Sequence, residues 1–134
     1  MSPSASPSAK YFLTFSASGG ESVDLEVEIA GTPEERSRGL MFRETLGENS
    51  GMFFLYEDDH QGGFWMKDTL VPLSIAFLLQ DGAIIDILDM EPGTTDLHRP
   101  MERYRNAVEV NQGWFDRNHI AVGDVVELPV GLGQ

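Results

Sequence analysis

The clearest pattern in the chain runs from Ser22 to Ala30, where Val23, Leu25, Val27 and Ile29 alternate with Asp24, Glu26 and Glu28. A period of two puts the apolar side chains on one face and the acids on the other, which predicts a half-buried strand with a solvated outer face. A shorter strand is predicted ahead of it, over Tyr11 to Phe15. Thr32-Pro33-Glu34-Glu35 then gives a helix start, with Thr as N-cap, Pro at the first position and acids in the first turn. The helix is expected to be short, over residues 33–41. The apolar run Gly51 to Tyr56 predicts a buried strand, and Asp58 to Gly63 a loop. Phe64-Trp65-Met66 resumes the apolar character and places Lys67 at a strand end. Leu73 to Leu79 and Ala83 to Asp89 read as two strands joined by Gln80-Asp81-Gly82, whose Asp-Gly dipeptide favours a hairpin. Glu91 to Pro100 reads as a polar loop. Asn106 to Val110 alternates, with Glu109 facing away from Val108 and Val110 as an exposed acid. A second short helix is expected over residues 112–118, with Trp114 and Phe115 inward, and Val125 to Leu128 closes the pattern.

Many short strands with glycine turns and one or two short helices predict a mainly β fold. An antiparallel barrel or jelly-roll-like single domain over residues 11–130 is expected. At 134 residues the chain fits one domain. The opening MSPSASPSAK is Pro/Ser/Ala without periodicity and reads as a disordered tail, not a signal peptide, because it has no apolar core segment. Residues 131–134 read as a flexible tail. No apolar run approaches the ~20 residues that a spanning helix needs, so no membrane insertion is expected.

Charge changes the picture more than length does. The chain carries 22 acidic and 9 basic side chains, a formal net charge of −13. A folded monomer of this mass exposes roughly 7,000 Å², so the field is dense. Nucleic acid, which needs a basic stripe, is excluded as an expected partner, and an anionic membrane surface is repelled. Only Lys10 and Lys67 are lysines against seven arginines. Such a composition suits concentrated salt, where self-repulsion is screened, and a salt-loving source is one expectation. An acidic solvated face from a GC-rich genome is the other. With no cysteine, disulfides, thiolate metal sites and cysteine nucleophiles are excluded.

Four ordered segments carry a resemblance. They are Thr32-Pro33-Glu34-Glu35-Arg36 with Gly39-Leu40-Met41-Phe42-Arg43; Gly51-Met52-Phe53-Phe54; Phe64-Trp65-Met66-Lys67-Asp68-Thr69 with Pro72-Leu73 and Ile75-Ala76-Phe77; and Val108-Glu109-Val110 with Gly113-Trp114 and Gly123-Asp124. In order and spacing, across about residues 22–128, they resemble the family called domain of unknown function 192. The resemblance implies a compact β-rich fold of barrel or jelly-roll type and members often exported behind a signal or lipid anchor. It implies no activity. Asp68 and Ser74 depart from the Asn and Asp more common there, and Ser74 removes a carboxylate from the region next to Lys67, which weakens a two-residue acid/base arrangement there. The Pro/Ser tail and this family habit together make an extracytoplasmic location the expectation, with a cytoplasmic protein as the alternative.

The candidate site gathers around Arg43, Trp65, Lys67 and Thr69. Arg43 offers a planar fork for a carboxylate or phosphate, Lys67 a second charge, Thr69 a hydroxyl and Trp65 a stacking wall. This set points to a non-catalytic module binding a small anionic ligand or a glycan. Arg43 paired internally with Glu109, and Lys67 with a local carboxylate beside a core Trp65, is the competing structural reading. An enzyme with Lys67 as base or nucleophile and a plain interaction domain are the alternative functions. A minor one is Cu(I) held by Met41, Met52, Met66, His98 or Met101, since thioethers are soft ligands, although Met usually fills core gaps. His60, His98 and His119 lack zinc spacing. No nucleophile elbow or phosphate loop occurs. Adjacent residues on a strand face opposite ways and acid pairs in such a composition are usually a solvated face, so neither Glu34-Glu35 nor Asp58-Asp59 is an obvious carboxylate dyad. No metal or other cofactor is expected, and a monomer is favoured.

Overall fold

The computed structural model describes residues 11–17 and 19–128, and the expected tails at 1–10 and 131–134 lie outside them. The strands are β1 (Tyr11–Ser16), β2 (Ser22–Ala30), β3 (Ser50–His60), β4 (Leu73–Leu78), β5 (Ile84–Met90), β6 (Tyr104–Asn111) and β7 (Val125–Glu127), with helices α1 (Pro33–Arg38) and α2 (Trp114–Arg117). They form one sheet in the order β5-β4-β6-β3-β2-β1-β7. The pairing is antiparallel except between β2 and β3, which run parallel because α1 and its turns carry the chain back between them. The sheet curls until its ends touch. Ala83 bridges Val125, and the Val126 N–H donates to the Gly82 carbonyl at 2.8 Å. Gly82, in the predicted hairpin turn, has φ +92°, and a Cβ there would collide with the Val126 backbone, so the turn admits only glycine. The result is a curled half-barrel.

Two apolar layers lie on the two faces of this sheet. One holds Leu13, Phe15, Leu25, Val27, Ile29, Phe53, Val108 and Val110, and also Ile84 and Val126 from the two ends, so it fills the inside of the curl. Helix α2 plugs it: Trp114 is fully buried, edge-on to Phe15 at 5.4 Å, with its indole N–H donating to Asn49 Oδ1 at 3.0 Å. The other layer holds Met52, Phe54, Leu73, Ile75, Phe77, Tyr104 and Ala107, roofed by Phe64, Met66 and Val71 from residues 61–72 and by Leu40 just after α1. The predicted alternation of β2 holds: its valines, Leu25 and Ile29 face the inner layer. Because β3, β4 and β6 are covered on both faces, they bury consecutive residues.

Three expectations are corrected. Residues 57–60 continue β3 instead of forming a loop. Phe64-Trp65-Met66 is not a strand; Phe64 makes a single bridge with His98, and Lys67 lies in a turn. Glu109 is not an exposed acid but is 4% exposed, since the face of β6 that it occupies lies under the second layer. Nor does it pair with Arg43.

Candidate functional site

The second layer does not close. Between α1, the outer end of β3 and residues 63–69 it leaves a cavity of about 580 Å³, lined among others by Arg36, Tyr56, His60, Trp65 and Glu109. Helix α1 is one wall, and its start is firmly set. The Thr32 hydroxyl accepts from the Glu35 N–H at 3.1 Å, and the Glu35 carboxylate accepts from the Thr32 and Gly31 N–H groups, a reciprocal capping box. Glu35 is thereby committed to the backbone. The turn after α1 is tied to the turn at Lys67: the Phe42 N–H donates to the Asp68 carbonyl at 2.8 Å. Phe42 (φ 68°) and Asp68 (φ 55°) both sit in the left-handed region. Such positions cost on the order of 1 kcal/mol or more each and persist where surrounding structure fixes them.

Arg36 is held in place without a carboxylate. Its Nη1 donates to the Gly31 carbonyl at 2.9 Å and the Leu55 carbonyl at 2.8 Å, and its guanidinium lies 4.6 Å from the centre of the Tyr56 ring. Two carbonyls take up one nitrogen, so Nε and Nη2 remain without a partner among the described residues. Arg38, exposed on the same rim, makes no ion pair with a described carboxylate either. His60 stacks on Tyr56 at 4.1 Å. Its pKa is lowered, first by burial and then by the Arg36 charge, which favours the neutral imidazole. Tyr56 is raised, mainly by burial, against the pull of Arg36. Tyr104 is also raised by burial, and its hydroxyl donates to the Gly62 carbonyl, pinning the start of the roof.

Glu109 forms part of the cavity's depth. Its neighbours across the ladder are Met52 on β3 and Ile75 on β4, both apolar and buried. The strands approach closely here, since any Cβ on Gly51 would collide with the Glu109 carbonyl. The Glu109 carboxyl makes no hydrogen bond to a described residue, yet no fully enclosed side-chain polar atom in the described chain lacks a partner. Its oxygens therefore face the cavity. Burial alone pushes its pKa up to about 8. The Arg36 charge does not contribute to that shift, whereas Tyr56 senses both Arg36 and Glu109. The cavity thus has a cationic end and an acid end, with Tyr56 between them.

The four residues named from the sequence separate. Trp65 (43% exposed) and Thr69 line the cavity, and the Thr69 hydroxyl donates to the Lys67 carbonyl at 3.1 Å. Lys67 is exposed, with its ammonium 5.4 Å from the centre of the Trp65 ring, at the edge of the site. Arg43 is turned away onto Glu28, with contacts of 2.5 and 2.6 Å. That bond raises the Arg43 pKa, partly offset by burial. Arg36, Tyr56, His60 and Glu109 were not among the candidates. In the sequence Arg36 and Glu109 stand inside family segments, and Glu109 reads as an exposed acid or an internal partner of Arg43, not as part of a site. Among the described residues no three His, Asp or Glu side chains gather to hold a metal ion. Met52 and Met66 are core, and Met101 is almost fully exposed.

The model of the family DUF192, described as an uncharacterized ACR, matches residues 14–128. Two solved structures share the fold. A protein from Sinorhizobium meliloti 1021, described as a proposed transcription regulator, superposes with a TM-score of 0.88 at 29% identity, covering 93% of this chain and 98% of that one. A protein of unknown function from Novosphingobium aromaticivorans DSM 12444 has a TM-score of 0.84 at 30% identity, covering 95% of this chain and 93% of that one. A search of curated proteins finds no match.

Proposed function

The chain belongs to the DUF192 family, and we propose that it binds a small organic anion with a ring or apolar body, without transforming it. The observation that carries this reading is Arg36: a cation fixed by two carbonyls on a cavity wall, with donors to spare, in a protein of net charge −13. Carboxylates are abundant on this chain, so an arginine left without one favours an outside partner. The aromatic lining of Phe54, Tyr56, Phe64 and Trp65 supplies flat apolar area for the ligand's body. Lys67 gives no support to an enzyme built on a desolvated lysine, because it is exposed. Transcription regulation, the role named for the Sinorhizobium protein, finds little support here if it requires binding to DNA. Neither described helix exceeds six residues, and the net charge opposes phosphate binding.

The test is calorimetric titration with cyclohexanecarboxylate and D-glucuronate, two ring carboxylates, beside uncharged glucose. Arg36→Gln is expected to weaken the binding of both anions about tenfold or more, consistent with loss of a charged hydrogen bond. Failure of both anions to bind at millimolar concentration, or equal binding to the Arg36→Gln protein, overturns the reading.

A further inference from the structure

We propose that Glu109 is the hydrogen-bond donor of this pocket, an un-ionised carboxyl that takes a neutral oxygen of the ligand, so that the ligand is a hydroxylated or oxo-bearing carboxylate such as a sugar acid. The inference rests on the binding reading above and names the ligand class. It begins from geometry. The Glu109 side chain is 4% exposed, makes no hydrogen bond to another described residue and opens into the cavity. An unpaired polar group in such a place costs about 1–3 kcal/mol, and an apolar residue would fill the site better. A bound oxygen removes that cost.

The protonation state decides which group it takes. Met52 and Ile75 flank the carboxyl, and no cation offsets its burial. The titratable groups facing the cavity are Arg36 and Arg38 from α1 and Tyr56 and His60 from β3, while residues 63–69 present Phe64, Trp65 and Thr69, and β4 sets apolar Ile75 beside Glu109 in the ladder. Among these, the only charge interaction with Glu109 is that of Tyr56. At neutral pH the proton therefore stays on Glu109, and the group donates. A second carboxylate of the ligand is disfavoured there, because it would leave water for a wall of Met52 and Ile75 with no cation beside it. A hydroxyl or carbonyl oxygen is accepted. With the anion at Arg36, the two ends select a ligand with its charge at one end and an oxygen at the other.

The matched pair of ring carboxylates separates this inference from the one beneath it. D-glucuronate carries hydroxyls where cyclohexanecarboxylate carries none. Wild-type protein is expected to prefer glucuronate about tenfold, the value of one well-made buried hydrogen bond. Glu109→Gln keeps a neutral donor and should retain the preference. Glu109→Leu should abolish it while still binding cyclohexanecarboxylate. Raising the pH beyond about 8 should weaken glucuronate alone. Equal binding of the two anions by wild type overturns this inference and leaves the Arg36 site standing, as does a loss of preference in Glu109→Gln as large as in Glu109→Leu. Binding of neither anion overturns both. A ligand-free measurement stands beside these: the Glu109 side-chain ¹³C shift followed with pH. Titration in the ordinary carboxylate range overturns the donor role whatever the binding data show.

Discussion

On one face of the sheet, the rings of Phe15, Trp114 and Phe115 interlock, and in the apolar layer they complete the buried polar side chains of that face, Ser74 and Asn106, are both hydrogen-bonded. On the other face, the same strands carry Phe77 and Tyr104 edge to face, with Phe54 edge-on to Phe64 above it, but the roof is made of turns and the short helix α1, and it leaves a cavity with a carboxyl in it. Both layers come from one seven-stranded sheet with alternating side chains, so the difference is not one of strand chemistry. It arises from what covers each face. The inner layer is closed by the curl of the sheet itself plus one turn of helix. The outer layer is covered by chain whose backbone is occupied in holding turns, as the tie between Phe42 and Asp68 shows. On the reading proposed above, the first face serves to hold the fold and the second to bind.

The sharpest way to break this contrast is to truncate each face at its most characteristic residue. Trp114→Ala opens a large hole in the closed layer and strands Asn49, and should cost about 3–5 kcal/mol in urea unfolding. Glu109→Leu removes an unpaired polar group and is expected to be neutral or to stabilise by about 1 kcal/mol. Similar losses from both substitutions would mean that Glu109 supports the fold and that the two faces do not differ in kind.

An effect of comparable size is expected from pH, and its sign is specific. The unfolded Glu109 ionises near 4.5 and the folded one near 8. Between these values the native state holds a proton that the unfolded state has lost. Its contribution to stability is therefore complete below about pH 4.5 and is lost as pH rises to about 8, amounting to a few kcal/mol. His60 acts in the opposite sense and lower down. Its folded pKa lies below 6.5, so its contribution is present at higher pH and falls as the solution is acidified through that region. Urea midpoints of wild type and Glu109→Gln across this range isolate the first term, because the other acids are common to both. A difference that does not change with pH would remove the buried acid from the picture.

What the residues disclosed and withheld follows the same division. The alternation of β2, the Thr32 capping box and the Asp81-Gly82 hairpin were legible because each depends on neighbours within a few positions. The resemblance across residues 22–128 was legible for the same reason, as an order of short segments. Glu109 was misread because period-two alternation tells which residues share a face, not whether that face is covered. Its companions on that face, Ala107 and the distant Phe64 and Met66, were the available signal that β6 lies inside the sheet under a roof. Trp65 and Thr69, named from the sequence for a stacking wall and a hydroxyl, line the cavity. Arg43 carries the same guanidinium as Arg36. Only the fold, which brings β2 alongside the turn after α1, decides that Arg43 meets Glu28 and that Arg36 does not meet an acid.

The smallest expected effect tests that pair of arginines. The Arg43 and Glu28 side chains are 35% and 22% exposed. Water screens such a pair, and holding two long side chains offsets part of the attraction, so Arg43→Ala should cost no more than about 1 kcal/mol. Its bidentate geometry puts it at the upper end of that range. Because its charge is already matched and it lies off the cavity lining, Arg43→Ala should leave anion affinity within about twofold of wild type, where Arg36→Gln lowers it about tenfold. The same calorimetric titration reads both. If the two substitutions weaken the anion equally, the protein's overall charge, and not a fixed guanidinium on the α1 wall, governs binding. The contrast between a closed face and a receptive one would then lose its chemical half.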